Sequence, residues 1–136
     1  MGGASRRTSR RGDEVAERRL YGIRGASTVA ANTGAAILAA TRQLLLKMQA
    51  ENGFLAEDLV SAIFTLTTDL NAAFPATAAR DLGWDRVPLL DAVEIDVPGA
   101  LPRCVRVLLH VYTDRAPDAI RHVYAGGAEC LRPDLR

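Results

Sequence analysis

Apolar and polar residues change their period several times along this chain, and each change marks an element. The run LYGIRGA, Leu20 to Ala26, reads as a short strand that ends at Gly25. Beyond it Ile37, Leu38, Thr41, Leu44, Leu45 and Met48 recur at helical spacing and make one buried stripe. Asn32 and Thr33 are N-cap residue types and Gly53 stands where a left-handed C-terminal cap belongs, which predicts an amphipathic helix over 33–52. Asp58 opens a second strand, Leu59 to Thr67, rich in β-branched and apolar residues. Pro75 suits the first turn of a short helix that runs to about Leu82 and ends at Gly83. Val87 to Val97 forms a third strand region, broken by Pro88 and closed by Pro98-Gly99. Arg103 to Thr113 alternates most cleanly of all. Val105, Val107, Leu109 and Val111 share one face, and Cys104, Arg106, Leu108, His110 and Tyr112 share the other. A single helical turn at Pro117–Ala119, a strand from Ile120 to Tyr124, a turn at Gly126-Gly127 and a tail from Leu131 to Leu135 complete the pattern.

Strands and helices mix, but the late strands follow one another without helices between them. That order predicts an α+β fold with helices against one face of a mixed sheet. Two helices of this size leave the other face bare, so oligomerisation is expected. Residues 1–18 are Gly, Ser and Arg with almost nothing to bury, and read as a flexible extension to a domain over 19–136. Arg6, Arg7, Arg10 and Arg11 could touch nucleic acid or an acidic partner; a solvated tail is the simpler account.

Composition narrows the class. A chain of 136 residues, 49% of them hydrophobic, is one globular domain with room for one core. The net charge of +1 gives no general case for nucleic acid. No apolar run approaches the length of a membrane span, and the Arg-rich N-terminus lacks the apolar stretch of a secretory signal. Cys104 and Cys130 make no disulfide framework, and His110 and His122 offer no zinc spacing, so a cytoplasmic protein without metal or cofactor is expected. Of the 17 basic residues only Lys47 is lysine. Arginine forks grip carboxylates in a fixed plane, although genomic base composition accounts for the excess equally well.

No nucleophile stands in a recognisable local setting and no phosphate loop is present, since Gly22-Ile-Arg-Gly25 is too short. An enzyme built from this inventory has to work by positioning and electrostatics. The candidate groups are Arg24 after the first strand, Arg80 in the short helix, Arg106 inside the clearest strand, and Tyr124. Spacing alone favours the plain account of Arg106, an exposed strand face or an ion pair with Glu94 or Asp96. It likewise favours a solvent-facing Glu94, a core Tyr124 with a bonded hydroxyl, and structural roles for both histidines.

Four stretches carry more than their periodicity: GIRGAST at 22–28, AAFPATAARDLGW at 72–84, VPLLDAVEIDVPGALPRCVRV at 87–107 and IRHVYAGGAECLRPDL at 120–135. With them, residues 20–135 resemble the AroH-class chorismate mutases. The resemblance implies a homotrimer of pseudo-barrel α+β subunits, with cofactor-free active sites in clefts between neighbours. It further implies that Arg24 and Tyr124 bind substrate carboxylates, that Arg106 contacts the breaking ether oxygen and a carboxylate, and that Glu94 bonds the ring hydroxyl. Phe74, Ala76 and Arg80 correspond to a wall contributed across the interface, Leu90 and Asp91 to positions beside the substrate, and Leu131 and Arg132 to a mobile tail over the site. Two residues depart from the family pattern. Asp91 stands where a small residue or Cys is usual, and its carboxylate would repel a dianion unless protonated or turned away. Thr77 stands where a Lys can occur.

The reaction so implied is the [3,3] rearrangement of chorismate to prephenate in aromatic amino acid biosynthesis. It needs no proton transfer and no covalent intermediate, which suits a site without a nucleophile or base. Two other readings remain: a non-catalytic trimer that binds a small anionic metabolite, and an interaction module acting through the basic extension.

Overall fold

A computed structural model describes residues 17–131. The Arg-rich extension therefore lies outside the described residues, apart from Glu17 and Arg18. Arg18 is already engaged: its guanidinium contacts Asp58 and donates to the Tyr112 carbonyl at 3.0 Å.

Five strands form one mixed sheet: β1 (Arg19–Thr28), β2 (Leu59–Leu66), β3 (Leu89–Val93), β4 (Cys104–Thr113) and β5 (Val123–Ala125). Their order across the sheet is β3-β2-β4-β1-β5, so the cleanly alternating strand is the central one. It runs antiparallel to both neighbours, while β3 pairs parallel with β2 and β5 parallel with β1. Two helices, α1 (Gly34–Asn52) and α2 (Ala76–Asp81), make the fold α+β as expected. Among the described residues no helix is long and apolar enough to cross a membrane.

The core lies between α1 and one face of the sheet. Ile37, Thr41, Leu44, Leu45 and Met48 are the buried stripe of α1, and Leu38 is only half-buried. The one polar member, Thr41, donates its hydroxyl to the Ile37 carbonyl at 2.8 Å, so nothing polar is stranded there. Thr33 caps the helix by accepting from Ala36 N, and Gly53 closes it at φ 70° with its N–H on the Gln49 carbonyl. Facing this stripe are Val105, Val107, Leu109 and Val111 of β4 and Phe64 of β2, all buried. A Cβ on Gly25 would lie 2.4 Å from Met48 Sδ, so this glycine lets β1 and α1 meet at close range.

Three segments differ from the sequence reading. Residues 120–122 are not strand, because Asn52 at the end of α1 takes both backbone groups of Arg121: its Oδ1 accepts from Arg121 N at 2.8 Å and its Nδ2 donates to Arg121 O at 2.9 Å. Only Val123–Ala125 reach β1. Gly126-Gly127 is not a plain turn but opens a 3-10 helix, Gly126–Leu131, that buries Ala128 completely and contains Leu131. The third strand region shortens to five residues, since its last ladder bond is Glu94 N to Leu66 O at 2.9 Å and the chain then folds back through Val97 N to Ile95 O.

Candidate active site

Strand register decides which side chains of the bare face meet. Ala26 pairs with Arg106 on one side and Tyr124 on the other, and Arg106 pairs in turn with Thr65. Tyr124, Ala26, Arg106 and Thr65 thus form one row across β5, β1, β4 and β2. One step along, Arg24 pairs with Leu108 and Leu108 with Ile63. Neighbours in register share a face, so Arg24, Arg106 and Tyr124 all stand on the side away from α1. Together with Thr65 and Glu94 they line a cavity of about 330 Å³.

Each member is held differently. Arg24 is half-buried, and its backbone N–H donates to His122 Nδ1 at 3.0 Å, which gives His122 a definite structural task. Glu94 follows the end of β3 directly; its Oε1 accepts from the Thr65 hydroxyl at 2.5 Å, and its Oε2 lies 3.7 Å from Arg106 Nη1. The ion pair with Glu94 that spacing alone suggested for Arg106 is therefore present, though long and partly solvated. Tyr124 is 92% buried by its relative exposure of 8%, and its hydroxyl has no hydrogen-bond partner among the described residues. Burying a hydroxyl without a partner costs about 1–3 kcal/mol, which makes this atom a candidate ligand contact in the cavity. Spacing alone favours a core Tyr124 with a bonded hydroxyl, and the resemblance a carboxylate-binding phenol; among the described residues the hydroxyl has no partner.

A second cavity of about 280 Å³ shares Arg106 and Glu94 and is lined as well by Ile95, Cys104 and Leu131. Leu131 ends the C-terminal 3-10 helix, which packs Ala128 against Ala26, Cys104 and Tyr124 and so covers one end of the bare face. That cover buries the Cys104 thiol, and burial pushes its pKa up to about 11 despite Arg106 nearby, which disfavours the thiolate. Arg132 lies outside the described residues.

The remaining candidates stand elsewhere in the same chain, around α2 and the β3 edge. Phe74 is 70% exposed and Leu90 is exposed, whereas Ala76 has its methyl in the main core. Arg80 is exposed and donates to Thr77 Oγ1 at 3.3 Å. Asp91 pairs in register with Phe64, on the core side of the sheet, opposite to Arg106. Its Oδ1 accepts from Ala76 N at 3.1 Å, at the start of α2. Burial raises its pKa, with the Ala76 N–H and the Arg80 charge pulling the other way. Within one chain, then, Asp91 is turned away from the arginine cavity and ties β3 to α2.

Thr65, Ile63 and Leu108 line the cavity and were not singled out from the sequence. A hint of Thr65 exists there: it is the polar residue between Phe64 and Leu66, at the same strand parity as Ile63. Its meeting with Arg106 and Glu94 depends on pairing between distant segments.

The arrangement of two guanidiniums, a buried free phenol and a carboxylate, with no activated nucleophile, suits a compact dicarboxylate that carries a hydroxyl. Residues 20–135 match the family model described as chorismate mutase type I. The chorismate mutase AroH of Thermus thermophilus is 56% identical over 117 residues, covering 85% of this chain and 96% of the relative. That of Bacillus subtilis is 49% identical over 117 residues, covering 85% and 92%. A solved chorismate mutase from Clostridium thermocellum superposes with a TM-score of 0.80 at 50% identity, covering 81% of this chain and 98% of the other. With a match that spans nearly the whole chain and relatives this similar, the chain belongs to the chorismate mutase type I family and is an enzyme of its AroH class.

Proposed function

We propose that the enzyme converts chorismate to prephenate by electrostatic stabilisation and positioning alone. The carbon–oxygen bond breaks ahead of carbon–carbon bond formation, so negative charge grows on the ether oxygen while the ring becomes electron-poor. Atoms and electrons stay within the one molecule. Arg106, always charged and fixed on the central strand, faces the ether oxygen and interacts more strongly with that charge than with the ground state. Arg24 and the Tyr124 hydroxyl hold carboxylates, and Glu94 accepts from the ring hydroxyl, which keeps the reacting carbons in contact. The observation that carries this reading is the buried, unpartnered Tyr124 hydroxyl in one cavity with Arg24 and Arg106.

The working form in this reading is a homotrimer. Supporting it is the row of large apolar residues along the β3 edge, with Val93, Ile95 and Val97 exposed beside Leu90 and Phe74. Phe74, Arg80 and Leu90 of a neighbouring copy then wall the arginine cavity from outside, Ala76 and Asp91 shape that wall from behind, and Leu131 closes the end. Mixing the purified protein with chorismate and following loss of its ultraviolet absorbance tests the reaction, with sedimentation equilibrium on the same sample testing the assembly. Binding without turnover would favour a non-catalytic anion receptor, and an active monomer would remove the shared site.

A further inference from the structure

Glu94 is a long side chain one residue past the end of a short edge strand, and such a carboxylate has several rotamers open to it. Two groups reach it. Arg106 Nη1 is 3.7 Å from Oε2, an ion-pair distance too long for a hydrogen bond. The Thr65 hydroxyl donates to Oε1 at 2.5 Å, the short range of a hydroxyl on an ionised acceptor. Thr65 is itself well placed to hold a partner. Its χ1 is stiff because it is β-branched, and it sits on β2 between buried Phe64 and Leu66, paired with both Arg106 of β4 and Ala92 of β3.

We propose that Thr65 is a positioning residue for the rearrangement: its hydroxyl fixes Glu94 so that Oε2 faces the cavity and Arg106 stays uncovered. The inference rests on the reading of Glu94 as acceptor for the ring hydroxyl and deepens it. With Oε1 occupied by Thr65, Oε2 is the oxygen left for substrate. Without that anchor the carboxylate is free to swing onto the guanidinium and pair with it at full hydrogen-bond contact. The two charges would then satisfy one another, and the ether oxygen would lose its partner. One hydroxyl thus keeps two oppositely charged groups close and unspent.

The test is a kinetic cycle on the whole chain with Thr65→Val, Thr65→Ser, Glu94→Ala and the Thr65→Val/Glu94→Ala double variant. Valine has the shape of threonine and is favoured in strands, and each variant is compared with the parent in Tm and assembly state. Thr65→Val should lower kcat about ten- to hundredfold, the usual worth of a hydrogen bond to a charged group, with a smaller rise in KM. Thr65→Ser, which keeps the hydroxyl, should recover most of the rate. In the Glu94→Ala background Thr65→Val should change kcat less than about twofold, because the partner it acts through is gone. A Thr65→Val enzyme with parental kcat, a Thr65→Ser enzyme as slow as Thr65→Val, or an equal loss in the Glu94→Ala background overturns the proposal while leaving Glu94's own role standing. Full activity in Glu94→Ala overturns both.

Discussion

The two faces of β4 are made from alternate residues of one strand, yet they live in different solvents. On one side Val105, Val107, Leu109 and Val111 are buried under α1 in a continuous apolar core. On the other, Arg106 and Leu108 are half-buried and line a cavity, His110 is half-buried against the Ser61 hydroxyl, and the Cys104 end is covered by the C-terminal 3-10 helix. The first face stabilises the fold by removing apolar area from water, about 1.5–3 kcal/mol for each side chain of this size. The second carries Arg106, which lines the cavity with Arg24 and Glu94 and pairs with Glu94 only at 3.7 Å. Because adjacent residues of a strand point to opposite sides, the core that pins the odd positions also aims the even ones. The backbone position of Arg106 on the central strand is thus set by the packing of its sequence neighbours.

The separation breaks most visibly at Arg106. Arg106→Ala should lower kcat by at least a hundred- to a thousandfold, about the cost of one donor aimed at developing charge, while Tm hardly moves. Arg106→Lys keeps the charge but shortens and re-aims it, so it should restore only part of the rate. Arg24→Ala should raise KM more than it lowers kcat. Steady-state kinetics of the three variants, each checked for intact assembly, decide this; near-normal kcat in Arg106→Ala would move the transition-state role elsewhere.

Leu109→Ala is the opposite experiment on the same strand. It should cost about 2–5 kcal/mol of stability in denaturant unfolding, since the side chain is fully buried. Folded enzyme should keep kcat within a few fold, and a loss as large as that of Arg106→Ala would show that the faces are not separable.

A smaller effect is expected where β4 begins. Asp69 accepts from Arg103 N at 3.0 and 3.2 Å, and from the Thr67 hydroxyl at 2.6 Å, and so holds Arg103 at a φ of 46°. The Thr67 hydroxyl chiefly holds its carboxyl below the usual range; burial opposes it, and the Arg103 N–H, the N–H of Asp69 itself and the Arg103 charge lower it further. A depressed pKa contributes stability above the ordinary carboxylate value that is lost as pH falls through the lowered one. Asp69→Asn should therefore lower Tm at neutral pH and match the parent in strong acid. Thermal melts across that range measure it, and a constant gap at every pH would contradict the linkage.

Asp91 offers the finest distinction, a carboxylate at a core-side position of β3. Its pKa is raised, so its contribution is most favourable in acid and diminishes as pH rises from the ordinary value through the raised one. Asp91→Asn still presents an oxygen to Ala76 N and removes the partly buried charge. It should melt at or slightly above the parent at neutral pH, and KM should stay within about twofold because the group faces α2. A marked fall in KM would put the ionised carboxylate against the substrate after all.

The stripe of α1 with its Thr33 and Gly53 caps, the start of α2 after Pro75 and the alternation of β4 were legible in the chain, because each depends on side chains within a few residues of one another. Arg24, Arg106 and Tyr124 stood out as charged or phenolic groups on the strands, but only stretches such as GIRGA and RHVY implied roles for them and for Glu94; spacing favoured plainer accounts of Glu94, Arg106 and Tyr124. What local pattern could not supply was who stands next to whom. Register sets Ala26 between Arg106 and Tyr124 and brings Thr65 under Glu94, and it arises from pairing strands far apart in sequence. Asn52 removed three residues from the last strand through a contact across 69 positions. The parity of Asp91 could be counted along β3, but which parity faces the core came from packing against Phe64 and α2. Propensity and periodicity act over one or two turns of chain; the free phenol, the long ion pair and the side to which Asp91 turns are products of the whole sheet closing on its core.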